Sequence, residues 1–124
     1  IVVETTSAGD VPPLKKHQAS TRLGLGPAIS VMDRSVIVHP KLVAQLVAVA
    51  EAAKIPYQFR QGTSGGTEAG AINQTRAGIP AAVISIPCRY IHSPVGVLNL
   101  NDFEQTINLI DAVLKNIEQR GLPV

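Results

Sequence analysis

The sequence has 124 residues, is 45% apolar, and carries 11 basic and 9 acidic side chains for a formal charge of +2. That length supports one modest core and is too short for two independent domains. Scattered Lys and Arg, two Tyr, two Phe and no Trp offer no basic stripe and few stacking platforms, so nucleic acid is not an expected partner.

No apolar run reaches the roughly 18 to 20 residues of a membrane span, and no charged leader with a cleavage site opens the chain. A single cysteine, Cys88, excludes an internal disulfide. A soluble, cytoplasmic protein is expected. The chain starts without Met in "IVVETT", whose β-branched character is that of a strand interior, which suggests a truncated or processed chain.

"IVVETT" is the first predicted strand. "SAGDVPP" follows as a turn, because Pro12 and Pro13 disfavour both helix and central strand. After the polar segment "KKHQASTRLGLG" comes a second strand, "PAISVMD". His39 then precedes a helix with Pro40 at its first position, where the missing N–H costs nothing. Leu42, Leu46, Val49 and Ala53 give that helix one apolar face through Lys54, and Pro56 stops it. "YQFRQ" reads as a third strand, "GTSGGTEAGA" as a Gly-rich loop, and "AINQTRAG" as a short helix closing on Gly78. "PAAVISIPC" is a nearly continuous apolar strand, as found when both faces are buried.

The last predicted helix starts at Asn101, with Glu104 three residues on in a capping-box-like arrangement. Phe103, Ile107, Ile110, Leu114 and Ile117 form its core-facing stripe, and Gly121 and Pro123 end it. Strands alternating with helices imply an α/β architecture with right-handed crossovers.

Ligands in open α/β sheets bind where strands end and loops diverge. That brings "ETTSAGD", "GTSGGTEAGA" and "CRYIHSP" into view. The Gly-rich loop either holds an anion on its backbone N–H groups or only serves a turn. His92 is either hydrogen-bonded to backbone at a strand end or a ligand. With Glu4 in the same crevice, carboxylate plus imidazole is the donor mix of a zinc, cobalt or manganese site. Asp10 competes with Glu4, although its expected role is to cap the turn before "VPP". Glu68 is either a first-turn acid on a helix dipole or a polar group lining the pocket. Cys88 has no base beside it. His17 is expected to be solvated and His39 to sit at a helix N-cap.

The stretches "VVETTSAGDVP", "LGLGPAISVMD", "HPKLV", "GTSGGTEAGAI" and "GIPAAVISIPCRYIHSP", in that order, resemble the C-terminal half of the catalytic domain of M42 metallo-aminopeptidases, the family of the glutamyl and deblocking aminopeptidases and TET peptidases. The resemblance implies an α/β three-layer sandwich with a mixed, mostly parallel sheet, part of a zinc-peptidase-like catalytic domain. Residues 1–124 are then its C-terminal portion, with the upstream part missing from this chain.

It also implies two divalent metal ions per complete site (Zn, Co or Mn), with His92 and Glu4 as metal ligands, and Gly65, Gly66, Thr67 and Glu68 binding substrate. Catalytic residues proper are expected upstream, including a glutamate that acts as general base. The implied activity is removal of N-terminal residues from peptides, in a homo-oligomer, commonly a dodecamer; the fragment alone is expected to be inactive. The family usually has Asp where Glu4 and Glu68 stand, and often His in place of Asn73. Two other readings are an inactive scaffold and an endoglucanase-type glycosidase that uses Glu4 and Glu68 as its carboxylate pair. Arg60, Arg76 and Arg89 are candidates to bind an acidic side chain, and each reads equally well as a surface or ion-pair residue.

Overall fold

A computed structural model describes residues 1–12 and 15–124. The expected turn through Pro13 lies partly outside these residues. The α/β expectation holds. Five strands, β1 (Val2–Ser7), β2 (Ala28–Ile29), β3 (Gln58–Phe59), β4 (Val83–Arg89) and β5 (Val97–Leu98), form one mixed sheet. The helices are α1 (Pro40–Ala52), α2 (Glu68–Asn73) and α3 (Leu100–Arg120), with one 3-10 turn at Lys16–Gln18. Among the described residues, no helix is long and apolar enough to cross a membrane.

The apolar run at the end of the sheet's longest ladder explains the layout. β4 runs parallel to β1 over six register pairs, from Val2 opposite Val83 to Ser7 opposite Cys88. Its other edge takes β2 antiparallel, and β2 in turn takes β3 parallel, giving the order β1-β4-β2-β3. Val83, Ile84 and Ser85 are fully buried, as a strand covered on both faces requires. β5, which the sequence reading assigned to no element, pairs antiparallel with the last two residues of β4. Two residues are too few to carry a period-2 signal.

β2 and β3 are shorter than predicted. After Ser30, whose N–H donates to the Val83 carbonyl, the chain leaves the sheet and folds back on itself, with a bridge between Met32 and Ile37.

α1 begins at Pro40 as expected and buries Leu42, Leu46, Val49 and Ala50; Ala53 is exposed at its cap. α2 starts at Glu68, inside the stretch expected to be loop, and ends at Asn73. The N-cap of α3 lies two residues before the predicted one: it is Asn99, and its side chain accepts a hydrogen bond from the Asn101 N–H.

The core stripe of α3 also differs from the predicted one. Asp102, Thr106, Leu109 and Val113 face inward, and Ile110 and Ile117 of the predicted stripe pack partly buried against the core, whereas Phe103, Ile107 and Leu114 are 42%, 51% and 57% exposed. Both stripes have the same helical period, so periodicity alone does not choose between them. The choice is made by hydrogen bonds. The Asp102 carboxylate accepts from Gly24 N–H at 2.7 Å and Gly26 N–H at 2.8 Å, and Thr106 Oγ1 donates to the Asp102 carbonyl at 2.7 Å. Only Gly fits at 26, where φ is +84° and an added Cβ would lie 2.2 Å from the Pro56 carbonyl oxygen.

Candidate metal and substrate pocket

β1 and β4 are parallel neighbours, so their C-terminal ends lie at the same edge of the sheet. Glu4 sits on β1, and the turn after β4 carries His92. A cavity of about 720 Å³ opens there. Glu4, Thr6, Arg34, Arg60, Gly65, Gly66, Thr67, Glu68 and His92 are among the residues that line it. The six residues singled out in the sequence as metal or substrate contacts therefore share one pocket.

The turn holding His92 is strained. Tyr90 (φ +61°) and His92 (φ +64°) are both left-handed, a conformation that costs a non-glycine residue roughly 1–2 kcal/mol. Residues held there at pocket edges point to function rather than stability.

Burial is the main influence raising the Glu4 carboxyl above its ordinary value. The Glu68 backbone N–H directed at it and the Arg60 charge pull the other way, while the charges of Asp33 and Glu68 raise it further. A partly buried carboxylate beside other acids is the environment in which a bound cation offsets the cost of ionisation. The donor chemistry of Glu4 and His92 suits a borderline divalent ion. Among the described residues, however, no three His, Cys, Asp or Glu side chains converge on a metal position. Glu4 and His92 are two candidate donors, fewer than the four ligands of a structural zinc site.

Asp10 does not line this pocket, and it does not serve as a local cap. Its carboxylate accepts from Arg89 Nε at 2.7 Å and from Leu23 N–H at 2.9 Å, tying the segment after β1 to the end of β4. The Arg89 guanidinium holds the Asp10 carboxyl below the usual carboxylate range. The sign follows from that depression: the stabilisation is present above the unfolded value of about 3.9 and is lost as pH falls through the lower folded value. Replacing Asp10 by Asn is expected to cost about 2 kcal/mol at pH 7 and to flatten the stability profile below about pH 4, read by urea unfolding across pH.

Arg89 takes the ion-pair alternative and is committed to Asp10. Arg60 lines the pocket, but its guanidinium holds the wall in place: Nε donates to Thr6 Oγ1 at 3.1 Å, one terminal nitrogen donates to the Gly62 carbonyl at 3.3 Å, and the other donates to the Ser64 carbonyl. Arg76 is not among the lining residues. Arg34, not singled out in the sequence, does line the pocket, and its N–H donates to the Gly65 carbonyl.

The remaining candidates lie elsewhere. Cys88 is buried, with Sγ donating to the Arg89 carbonyl. His17 is exposed in the 3-10 turn. His39 is the N-cap of α1 by position, without a side-chain cap hydrogen bond. Asn73 Nδ2 donates to the Ile79 carbonyl.

Asp33 was also missed as a site residue, having been read only as the end of a strand. It is 5% exposed and accepts four hydrogen bonds: from Ser35 N–H (2.6 Å), Ser35 Oγ (2.8 Å), Val36 N–H (3.0 Å) and Thr67 Oγ1 (2.7 Å). Burial by itself would raise its carboxyl, but these donors outweigh burial and hold it below the usual range. "DRS" is a side-chain-to-backbone turn signal that could have marked it.

A carboxylate midway along β1 and an imidazole in the turn after the neighbouring parallel β4, beside a Gly-rich loop leading into a helix, line a crevice of the kind in which open α/β sheets bind ligands. Comparison narrows the class: the chain belongs to the M42 glutamyl aminopeptidase family, whose match runs over residues 1–109. A protein of Acetivibrio thermocellus provisionally named an aminopeptidase is 42% identical over 110 residues, covering 89% of this chain and 33% of that protein. The crystal structure of the TET aminopeptidase from the marine sediment archaeon Thaumarchaeota archaeon SCGC AB-539-E09 superposes with a TM-score of 0.88 at 45% identity, covering 93% of this chain and 32% of that one. The Pyrococcus horikoshii TET1 peptidase, described as assembling into a tetrahedron or a large octahedral shell, matches with a TM-score of 0.70 at 32% identity over 90% of this chain and 32% of its own. The chain thus spans about a third of the length of the curated relatives it matches.

Proposed function

We propose that residues 1–124 are the C-terminal portion of the catalytic domain of a metal-dependent aminopeptidase that removes N-terminal residues from peptides. The observation that carries this is the meeting of Glu4 on β1, His92 in the turn after β4 and the Gly65–Glu68 segment in one pocket. Glu4 and His92 each ligate one of two divalent ions (Zn, Co or Mn), with the remaining ligands and the general base supplied by sequence upstream. Such ions polarise a carbonyl and activate water at neutral pH. The chain's own contribution is to hold one donor on β1 and one in the turn after β4, and to shape the substrate wall with Gly65, Gly66, Thr67 and Glu68. The active form is a cytoplasmic homo-oligomer, in keeping with the assemblies described for the Pyrococcus horikoshii relative.

The test is hydrolysis of aminoacyl anilides by the full-length gene product. Activity is expected to vanish with chelator and return with Zn, Co or Mn, and the isolated chain is expected to be inactive. Robust turnover by the isolated chain would overturn the division of the site between this segment and upstream sequence. Cleavage of carboxymethylcellulose that survives chelator would favour the glycosidase reading, and a full-length product that neither binds metal nor cleaves anilides would favour the scaffold.

A further inference from the structure

We infer that the outward face of α3 is the docking surface for an amphipathic helix that carries Lys or Arg beside its apolar stripe and is supplied by sequence upstream of Ile1. This rests on the reading that residues 1–124 are the C-terminal portion of a longer polypeptide, in keeping with a chain that spans about a third of the length of its relatives.

α3 carries two inward or apolar rows, and the chain covers only one of them fully. Leu109 and Val113 point into the core together with Asp102 and Thr106. Leu100, Phe103, Ile107, Ile110, Leu114 and Ile117 form the other row, spaced alternately by three and four residues, which is the heptad pattern of a coiled-coil seam. Ile110 and Ile117 touch the core from its inner edge. Leu100, Phe103, Ile107 and Leu114 lie along its outer edge, and Leu100 is 74% exposed. α1 does not cover them. Its Gln45 donates to Asn116 Oδ1 at 2.9 Å, and Asn116 lies two and a half turns beyond Ile107 at about 3.6 residues per turn, on the opposite side of α3. Large apolar side chains aligned along about four turns of one helix face mark a contact surface, unlike single apolar residues scattered over a surface.

Charge sets the chemistry of the occupant. Glu104, Asp111 and Glu118 repeat every seventh residue along one side of the apolar row, the place where a helical seam carries the charges that select its partner. Asp111 pairs with Lys115 at 2.7 Å, and among the described residues Glu104 and Glu118 form no ion pair. A helix with basic flanking residues complements this row. A second copy of α3 does not. Antiparallel pairing would bring the two acidic rows together, and parallel pairing would set each against Thr106 and Val113, which are buried in the chain's own core.

The test introduces Ile107→p-benzoylphenylalanine into the full-length gene product, irradiates it and maps the cross-linked peptide. The expected product is a cross-link within one polypeptide, to an upstream helical segment with Lys or Arg beside its apolar residues. In parallel, Ile107→Glu is expected to lower the Tm of the full-length protein by at least about 4 °C, because it places a charge in an apolar contact, whereas Asn108→Glu on the exposed polar side stays within about 1 °C of wild type.

A cross-link to a second subunit overturns the inference in favour of a second copy. No cross-link, or I107E as harmless as N108E, overturns it in favour of a face left in water, and a cross-link to an upstream segment without basic flanks overturns the assigned chemistry. A gene product with no residues upstream of Ile1 overturns the inference together with the reading on which it rests. A longer product that cleaves anilides with metal and gives no upstream cross-link overturns the inference alone.

Discussion

Replacing Asp102 with Ala lowers the unfolding free energy by about 3 kcal/mol, because it leaves two amide donors without an acceptor, each costing about 1–3 kcal/mol. The carboxylate is wholly buried, and both of its oxygens are engaged, by Gly24 and Gly26. Gly26 is packed against the Pro56 backbone, where an added Cβ would lie 2.2 Å from the carbonyl oxygen, so its N–H has little room to turn elsewhere. The loss is a large part of the roughly 5–15 kcal/mol that holds a typical domain together. Asn at 102 keeps one acceptor and places an NH₂ against the second donor, so it is expected to lie close to Ala and far from wild type. Urea unfolding with an unchanged m-value is the measurement. A loss below about 1 kcal/mol would mean that the α3 register is set by apolar packing and not by this carboxylate.

The second large effect separates function from stability at one residue. On the proposal that His92 is a metal ligand, His92→Gly in the full-length protein is expected to weaken metal binding by more than about 100-fold, since losing a ligand costs more than losing its outer partner. The same change is expected to leave the fold as stable as before or stabilise it by up to about 1 kcal/mol, because glycine relieves the left-handed strain while paying back part of the gain in chain entropy. His92→Ala keeps the strain and loses the ligand, so Gly should be the more stable of the two. The readouts are zinc affinity and thermal unfolding on the same samples. If H92G unfolds more easily than H92A, the turn after β4 is not under strain. If both retain wild-type zinc affinity, His92 is not a ligand.

Much of the site was legible in the residues. Glu4, His92 and Gly65–Glu68 were nominated from strand ends, a Gly-rich loop and family resemblance, and all six line the same pocket. Arg34 and Asp33 were not. An arginine after a strand carries no mark that its N–H will pin Gly65, and an aspartate in "MDRSV" gives no sign that a threonine 34 residues later will donate to it. For Arg60 the sequence leaves a binder of acidic side chains and a surface or ion-pair residue equally open. Its hydrogen bonds to Thr6, Gly62 and Ser64 make it part of the wall.

By itself, the sequence determined the features that depend on near neighbours in the chain. These are the buried run of β4, the Pro40 start of α1, the alternation of strand and helix, and the motif that identifies the family. Local sterics and hydrophobic periodicity act over a few residues and leave their trace there. The tertiary structure alone decided which stripe of α3 faces the core, where α2 begins, how short β2 and β3 are, and that β5 exists. Each of these follows from a partner distant in the chain: Gly24 and Gly26 for Asp102, Asp33 for Thr67, Val83 for Ser30, Cys88 for Leu98. Two stripes with one period have equal local claims on the core, and a buried carboxylate that must keep its two donors breaks the tie.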